Sequence, residues 1–215
     1  EHERCRLADL VNDVVTLLRG SAEEKLLDFM AGFEGPAPEW IATDPVRFKQ
    51  ILINLAGNAI KFTQKGRVSV RVSVEGGTRA EQDSGPVGRR SLRVAVADSG
   101  IGIAAEALKD LFLPFSQVHE RRFTRFGGTG LGLDISRHLA RLLGGDIEVQ
   151  SEVGVGSTFS LLLPLPAAVD APAETPLVAP PARAKWEAVA SDFLAHRRIL
   201  VVDDSPDNRE VMSFL

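Results

Sequence analysis

The sequence predicts an α/β domain, followed by a linker and the opening of a second unit. Three observations predict it. Helical and strand-like patterns interleave over roughly the first 165 residues. Residues 68–74 (VSVRVSV) alternate strictly between apolar and other side chains, the mark of a half-buried strand. Composition then changes, with six of the twelve prolines lying between Pro164 and Pro181 among alanines.

The elements follow in chain order. Leu10, Val14, Leu17 and Leu18 recur at helical spacing within residues 7–18, and Arg19-Gly20 reads as a stop or kink. Leu26 to Phe33 reads as a strand, 35–38 (GPAP) as a turn, and Trp40-Ile41-Ala42 as a short extended piece. Asp44-Pro45 opens a helix, because Asp caps free backbone N–H groups and Pro fits the first turn; that helix runs to about Phe62. The alternating strand 68–74 is followed by a Gly-rich polar hairpin loop from Glu75 to Arg90, and Leu92 to Ala97 is the returning strand. Helices are expected at 104–112 and 130–143, and strands at 146–151 and 157–163. Beyond the linker, Lys185 to His196 carries Trp186, Val189, Phe193 and Leu194 at the spacing of a short connector helix. Ile199 to Val202 then reads as a buried strand ending in Asp203-Asp204, the start of a domain that continues past Leu215.

Bulk properties exclude several classes. With 44% hydrophobic and 25% charged residues the chain has ordinary globular usage. A formal charge of −4 argues against nucleic-acid binding by bulk charge. The apolar runs fall far short of the ~20 residues that span a bilayer, and no signal peptide opens the sequence. The single cysteine, Cys5, excludes an internal disulfide and a Cys-based zinc site.

Four stretches carry chemistry. In the helix 50–62, Gln50, Asn54, Asn58 and Lys61 fall within about 80° of one another. Apolar residues flank the stripe: Ile53 and Ile60 on one side, Ile51, Leu55 and Phe62 on the other. Amides at one-turn spacing offer neutral oxygens to a hard cation such as Mg2+, and Lys61 would attract phosphates. A stripe of amides bonded within a core is the other reading. The second stretch, Asp98-Ser99-Gly100-Ile101-Gly102, directly follows a strand; its carboxylate can accept from an exocyclic amine, and its glycines let a ligand approach. It also fits a loose GxGxxA dinucleotide pattern, but the region around Glu120 is not the second strand that pattern requires. The third, 127–133 (GGTGLGL), leads into a helix, where exposed N–H groups favour anions and Thr129 can cap. No Lys-Ser or Lys-Thr follows, so it is not a P-loop. The fourth, 154–159 (GVGSTF), reads alone as a hairpin turn.

In this order the four stretches resemble the ATP-binding catalytic domain of sensor histidine kinases, within the class that includes DNA gyrase B, Hsp90 and MutL. The resemblance covers roughly residues 7–165. Residues 54–63 (NLAGNAIKFT) look like the asparagine box, Asp98 to Gly102 like the first glycine box and Gly128 to Leu133 like the second. Residues 112–115 (FLPF) match the phenylalanine box, which points to a kinase within that class. The implied fold is a two-layer α/β sandwich of Bergerat type, its mixed, mainly antiparallel sheet packed on helices.

The resemblance also implies ligands and roles. ATP and Mg2+ are the expected substrate and metal. Asn58 would coordinate Mg2+ with Asn54 in support, and Lys61 would approach the phosphates. Asp98 would bind the adenine amine, Thr158 would complete that contact, and Gly100, Gly102 and Ile103 would shape the pocket. Gly128, Thr129, Gly130, Leu131 and Gly132 would close a lid on the phosphates. Residues 116–128 would form that lid, with Arg121, Arg122 and Arg125; Arg125 would meet the γ-phosphate. Gln50, Asn54, Lys61 and Arg125 are the candidate catalytic residues. A gyrase-type ATPase would need a glutamate on the asparagine-box helix, and an amide such as Gln50 cannot act as general base.

Residues 199–208 (ILVVDDSPDN) resemble the first strand and loop of a response-regulator receiver domain, where Asp203 and Asp204 would help hold Mg2+. The expected organisation is therefore a catalytic domain at 1–165, a linker with connector helix at 166–197 and a receiver start at 198–215. The implied parent is a hybrid kinase passing the γ-phosphoryl group of ATP to its own histidine, then to aspartate. The expected partners are the dimerisation and histidine-phosphotransfer helices of that parent and its receiver domain, with no nucleic acid and no direct membrane contact. The expected location is the cytoplasm, whether or not the parent is anchored in a membrane. A regulatory module that binds nucleotide without phosphoryl transfer is the alternative. Two departures stand out: His2-Glu3 lacks the downstream proline of a phosphoacceptor motif, and Asp134 stands where the family usually has alanine.

Overall fold

The computed structural model describes residues 3–76, 90–113 and 131–165. The chain divides into two units, Glu1–Ala179 and Pro180–Leu215, and every described residue belongs to the first. The connector helix, the receiver start with Asp203 and Asp204, most of the 75–90 loop and the segment bearing Arg125, Gly128, Thr129 and Gly130 lie outside the described residues.

The elements are β1 (Glu3–Arg6), α1 (Leu7–Glu24), β2 (Asp28–Glu34), β3 (Trp40–Thr43), α2 (Pro45–Phe62), β4 (Arg67–Glu75), β5 (Ser91–Asp98), the single turn α3 (Ala105–Leu108), α4 (Gly132–Leu142), β6 (Asp146–Glu152) and β7 (Gly156–Pro164). A five-stranded sheet runs β2-β4-β5-β7-β6. Only β2 and β4 pair in parallel; the other three ladders are antiparallel. The sheet is thus mixed and mainly antiparallel, as expected. A parallel pair needs a crossover, and α2 lies within the connection between β2 and β4.

One face of the sheet is apolar. Val68, Val70 and Val72, Leu92, Val94 and Val96, and Phe159, Leu161 and Leu163 are all buried there. Leu10, Val11 and Val14 of α1 and Phe48, Ile51, Leu52 and Leu55 of α2 complete that core. The other face is polar: Arg93 donates to Glu75 and Ser160, and Arg71 donates to Glu34. The alternation read in residues 68–74 is this division into two faces.

Helix α2 starts as expected. The Asp44 carboxylate accepts from Arg47 N at 3.0 Å, and Pro45 occupies the first turn. Helix α1 runs past the predicted stop at Gly20 and ends in a Schellman turn, with Leu27 N donating to Ala22 O and Leu26 N to Glu23 O. Leu26 therefore takes φ 56, a left-handed position normally given to glycine. Helix α4 ends the same way with Gly144 (φ 82) at the equivalent place.

Three further differences have local causes. The short strand β1 pairs with β3 in a separate two-stranded ladder. The helix expected at 104–112 is only four residues long, because Asp110 N and Leu113 N bond three residues back and close tight turns. Helix α4 begins at Gly132, and its N-cap is Leu131, which provides no side-chain cap. Asp134 sits half-buried in its first turn, where the helix dipole favours negative charge. Among the described residues no helix is long and apolar enough to cross a membrane.

Candidate functional site

The site begins on α2, whose buried side carries Ile51, Leu52, Leu55, Ala59 and Ile60 into the core. The amide stripe lies on its flank: Gln50 is exposed, while Asn54, Asn58 and Lys61 are half-buried. Asn54 Nδ2 donates to Ser136 Oγ of α4 at 2.8 Å, and Ser136 is only 2% exposed. Asn58 Nδ2 lies 3.5 Å from Asn54 Oδ1, a long hydrogen bond one turn apart. The Asn58 Oδ1 oxygen accepts no hydrogen bond among the described residues.

Helix α4 approaches α2 closely at this level. A Cβ on Gly132 would stand 2.5 Å from Asn54 Oδ1, so only glycine leaves the amide in place. Asn54 of the expected asparagine box therefore meets Gly132 of the expected second glycine box, and Ser136 one turn further along α4.

The first glycine box meets the far end of α2, where Gly100 abuts the Phe62 carbonyl. Lys25 Nζ donates to the Ile60 and Lys61 carbonyls at 2.9 Å and so ties this end of α2 to α1. Lys61 Nζ itself lies over the Phe62 ring, 5.1 Å from its centroid. Asp98 ends β5 with its side chain on the helix-facing side, in phase with Leu92, Val94 and Val96. Its Oδ1 accepts from Gly100 N at 2.8 Å. Burial pushes the Asp98 carboxyl above its usual range, against the opposing pull of backbone donors at Gly100 and Ser157. Gly102 has φ +67, and a Cβ there would overlap the Glu152 carbonyl. This lays the loop on the β6–β7 hairpin, where Ile103 N donates to Ser151 Oγ at 2.8 Å.

The hairpin corrects one assignment. Ser157 pairs with Asp98, whereas Thr158 pairs with Ala97 and Gln150. Strand alternation turns Thr158 to the sheet's polar face, so the hydroxyl beside Asp98 belongs to Ser157. The signal was present: Phe159, Leu161 and Leu163 mark the core face, and position 157 is in phase with them. Two other polar residues, Ser136 and Ser151, were not singled out from the sequence. Ser136 shares one helical row with the small residues Gly132 and Ala140, a stripe that marks close packing.

On the outer side of α4, Arg137 bonds both Asp146 carboxylate oxygens, at 2.8 and 3.1 Å, and pins the helix to β6. Arg137 also stacks over Phe112, 4.7 Å from the ring centroid. The Arg137 guanidinium holds the Asp146 carboxyl below its usual range.

The arrangement sets two amides along the middle and C-terminal half of α2, and a half-buried carboxylate and a hydroxyl on the helix-facing side of the sheet, where the Asp98 loop meets the C-terminal end of α2. Chemically, the carboxylate and hydroxyl can accept from a polar base, and the neutral amide oxygens suit a hard cation.

Comparison with known proteins agrees with this fold. A family model described as histidine kinase-, DNA gyrase B-, and HSP90-like ATPase matches residues 43–167. The chain is 41% identical over 165 residues to the aerobic respiration control sensor protein ArcB of Escherichia coli K12, covering 76% of this chain and 19% of ArcB. It is 39% identical over 162 residues to the sensor protein GacS of Pseudomonas syringae pv. syringae, covering 75% of this chain and 17% of GacS. The chain thus spans under a fifth of the length of these curated relatives. Full-length ShkA, solved in complex with AMPPNP, matches with a TM-score of 0.64 and 30% identity, covering 79% of this chain and 32% of ShkA. The nucleotide-free catalytic domain of the histidine kinase ThkA matches with a TM-score of 0.59 and 27% identity, covering 76% of this chain and 97% of that domain.

Proposed function

We propose a function that proceeds from one premise: the chain belongs to the histidine kinase-, DNA gyrase B-, and HSP90-like ATPase family. It carries an ATP-binding catalytic domain of the kind found in hybrid sensor histidine kinases. The parent protein transfers the γ-phosphoryl group of ATP to a histidine on its dimerisation helices, and a receiver aspartate takes it next. One observation carries this reading. The asparagine helix α2 touches both glycine-bearing segments, at Gly132 beside Asn54 and at Gly100 beside Phe62.

In this reading adenine lies at Asp98, with Ser157 alongside, and the phosphates lie along Asn54, Asn58 and Lys61. The donor set fits Mg2+: Asn58 Oδ1, which accepts no hydrogen bond among the described residues, is a neutral hard oxygen, and a neutral site does not repel a triphosphate. Bound there, Mg2+ would neutralise charge on the phosphates. Asn54, fixed by Ser136 and Gly132, holds Asn58 in register. Lys61 adds positive charge near the phosphates, and Arg125 of the lid would meet the γ-phosphate. Gln50, exposed on α2, is no general base, which fits transfer to a protein nucleophile better than hydrolysis by activated water. Catalysis is then mainly positioning and charge stabilisation.

The test is phosphoryl transfer in the parent protein with γ-labelled ATP. Label on protein that is acid-labile and base-stable, and that is lost in Asn58→Ala, supports the reading. ATP binding without any transfer would instead support a regulatory module.

A further inference from the structure

The Ser151 hydroxyl stands at the centre of a four-membered polar cluster that joins the Asp98 loop to the β6–β7 hairpin. Its Oγ accepts from Ile103 N at 2.8 Å and donates to the Gly156 carbonyl at 3.0 Å. It also lies 2.9 Å from Ser157 Oγ, a pair in which either hydroxyl alone could be the donor. Counting protons removes that freedom. A serine hydroxyl has one proton and two acceptor lone pairs. Ser151 gives its proton to the Gly156 carbonyl, which can only accept. Its two lone pairs then take the Ile103 N–H and the Ser157 O–H. Ser157 has therefore spent its only proton on Ser151, and toward any ligand it can act solely as an acceptor.

Ser157 is the cross-strand partner of Asp98, and its side chain is in phase with the same helix-facing side. An ionised carboxylate is likewise only an acceptor. We propose that Ser151 is a positioning residue for base selection: it fixes the Ser157 hydroxyl as an acceptor, so that Asp98 and Ser157 together admit a 6-amino purine and disfavour a 6-oxo purine. This rests on the reading that places the base at Asp98. The same hydroxyl fastens Ile103, and with it the Asp98–Gly102 loop, to the hairpin, so the geometry of the pocket and its polarity have one source. A 6-oxo group brought to the pair would set its oxygen against two acceptors with no proton between them, which is the costly case of an unpaired polar contact.

The test is calorimetric titration of ATP and inosine triphosphate into the wild-type chain and into Ser151→Ala, Ser157→Ala, Ser151→Thr and the double alanine variant. Loss of one such hydrogen bond corresponds to about a threefold to tenfold loss of affinity. In both single alanine variants ATP is expected to weaken by that factor while inosine triphosphate does not weaken, because the variant removes or frees an acceptor that opposes the 6-oxo oxygen. The double variant should lose no more than either single, and Ser151→Thr should restore the wild-type ratio. A preserved ratio in Ser157→Ala, which keeps the Ser151 bonds to Ile103 and Gly156, overturns the proposal even if Ser151→Ala does not fold. Equal weakening of both nucleotides in Ser151→Ala also overturns it, as a merely structural effect. If the wild type binds both nucleotides equally, the placement of the base at Asp98 fails instead.

Discussion

Ser136→Ala tests whether α4 holds the asparagine helix in its working geometry. The Ser136 hydroxyl is almost wholly buried and accepts from Asn54 Nδ2 at 2.8 Å. Removing it leaves a half-buried amide donor without its partner. A neutral hydrogen bond of this kind contributes about 0.5–1.5 kcal/mol, and the orphaned donor adds up to ~1 kcal/mol where water cannot reach it. Alanine is the better helix former by about 0.5 kcal/mol, which offsets part of the loss. The net expectation is destabilisation of about 0.5–1.5 kcal/mol, read as a lower urea midpoint with an unchanged slope. The functional effect should be separable, because Asn54 then loses its tie to α4 and is held only by the long bond to Asn58 and the packing of Gly132. A double-mutant cycle with Asn54→Ala isolates the contact: a coupling of about 1 kcal/mol in both stability and ATP affinity is expected. Additive effects, with coupling near zero, would refute the claim that Ser136 acts through Asn54.

Gly102→Ala should cost at least about 2 kcal/mol, since φ +67 is disfavoured for alanine and its Cβ would overlap the Glu152 carbonyl; a near-wild-type unfolding midpoint would contradict this. Leu26→Gly should stabilise by about 0.5–1 kcal/mol, because Leu26 is 84% exposed and sits at φ 56; thermal unfolding of the two proteins decides it. Asp146 has a depressed pKa through Arg137, so its contribution is present above the usual aspartate value of about 3.9 and is lost as pH falls through the lower folded value. Both partners are partly exposed, so Asp146→Asn should cost only about 0.5 kcal/mol at neutral pH and nothing once the carboxyl is protonated; urea midpoints against pH would show the two curves converging.

Local signals made most of the fold readable. The Asp44-Pro45 start of α2 and the alternation of β4 each depend on a few consecutive residues, and both stand where expected. The misses depend on partners distant in sequence. Strand β1 has no apolar alternation and exists through its pairing with β3. The end of α1 is hidden because a leucine occupies the place where glycine would announce the turn. In the site, the amides and Asp98 were readable from residue type and spacing. Residue type alone does not separate the neighbouring hydroxyls of Ser157 and the expected Thr158; the alternation marked by Phe159, Leu161 and Leu163 and the register with Asp98 do. Ser136 and Ser151 look ordinary in sequence, because their roles come from α2 and from the Asp98 loop.

The central claim is that a nucleotide binds along α2 with its base at Asp98. Calorimetric titration of ATP into this chain, with and without Mg2+, beside Asp98→Asn tests it most directly. The account predicts saturable one-to-one binding that strengthens with Mg2+ and disappears in the folded Asp98→Asn variant, where one carboxylate oxygen becomes an amide donor facing the base. Wild-type binding that survives Asp98→Asn unchanged would contradict it.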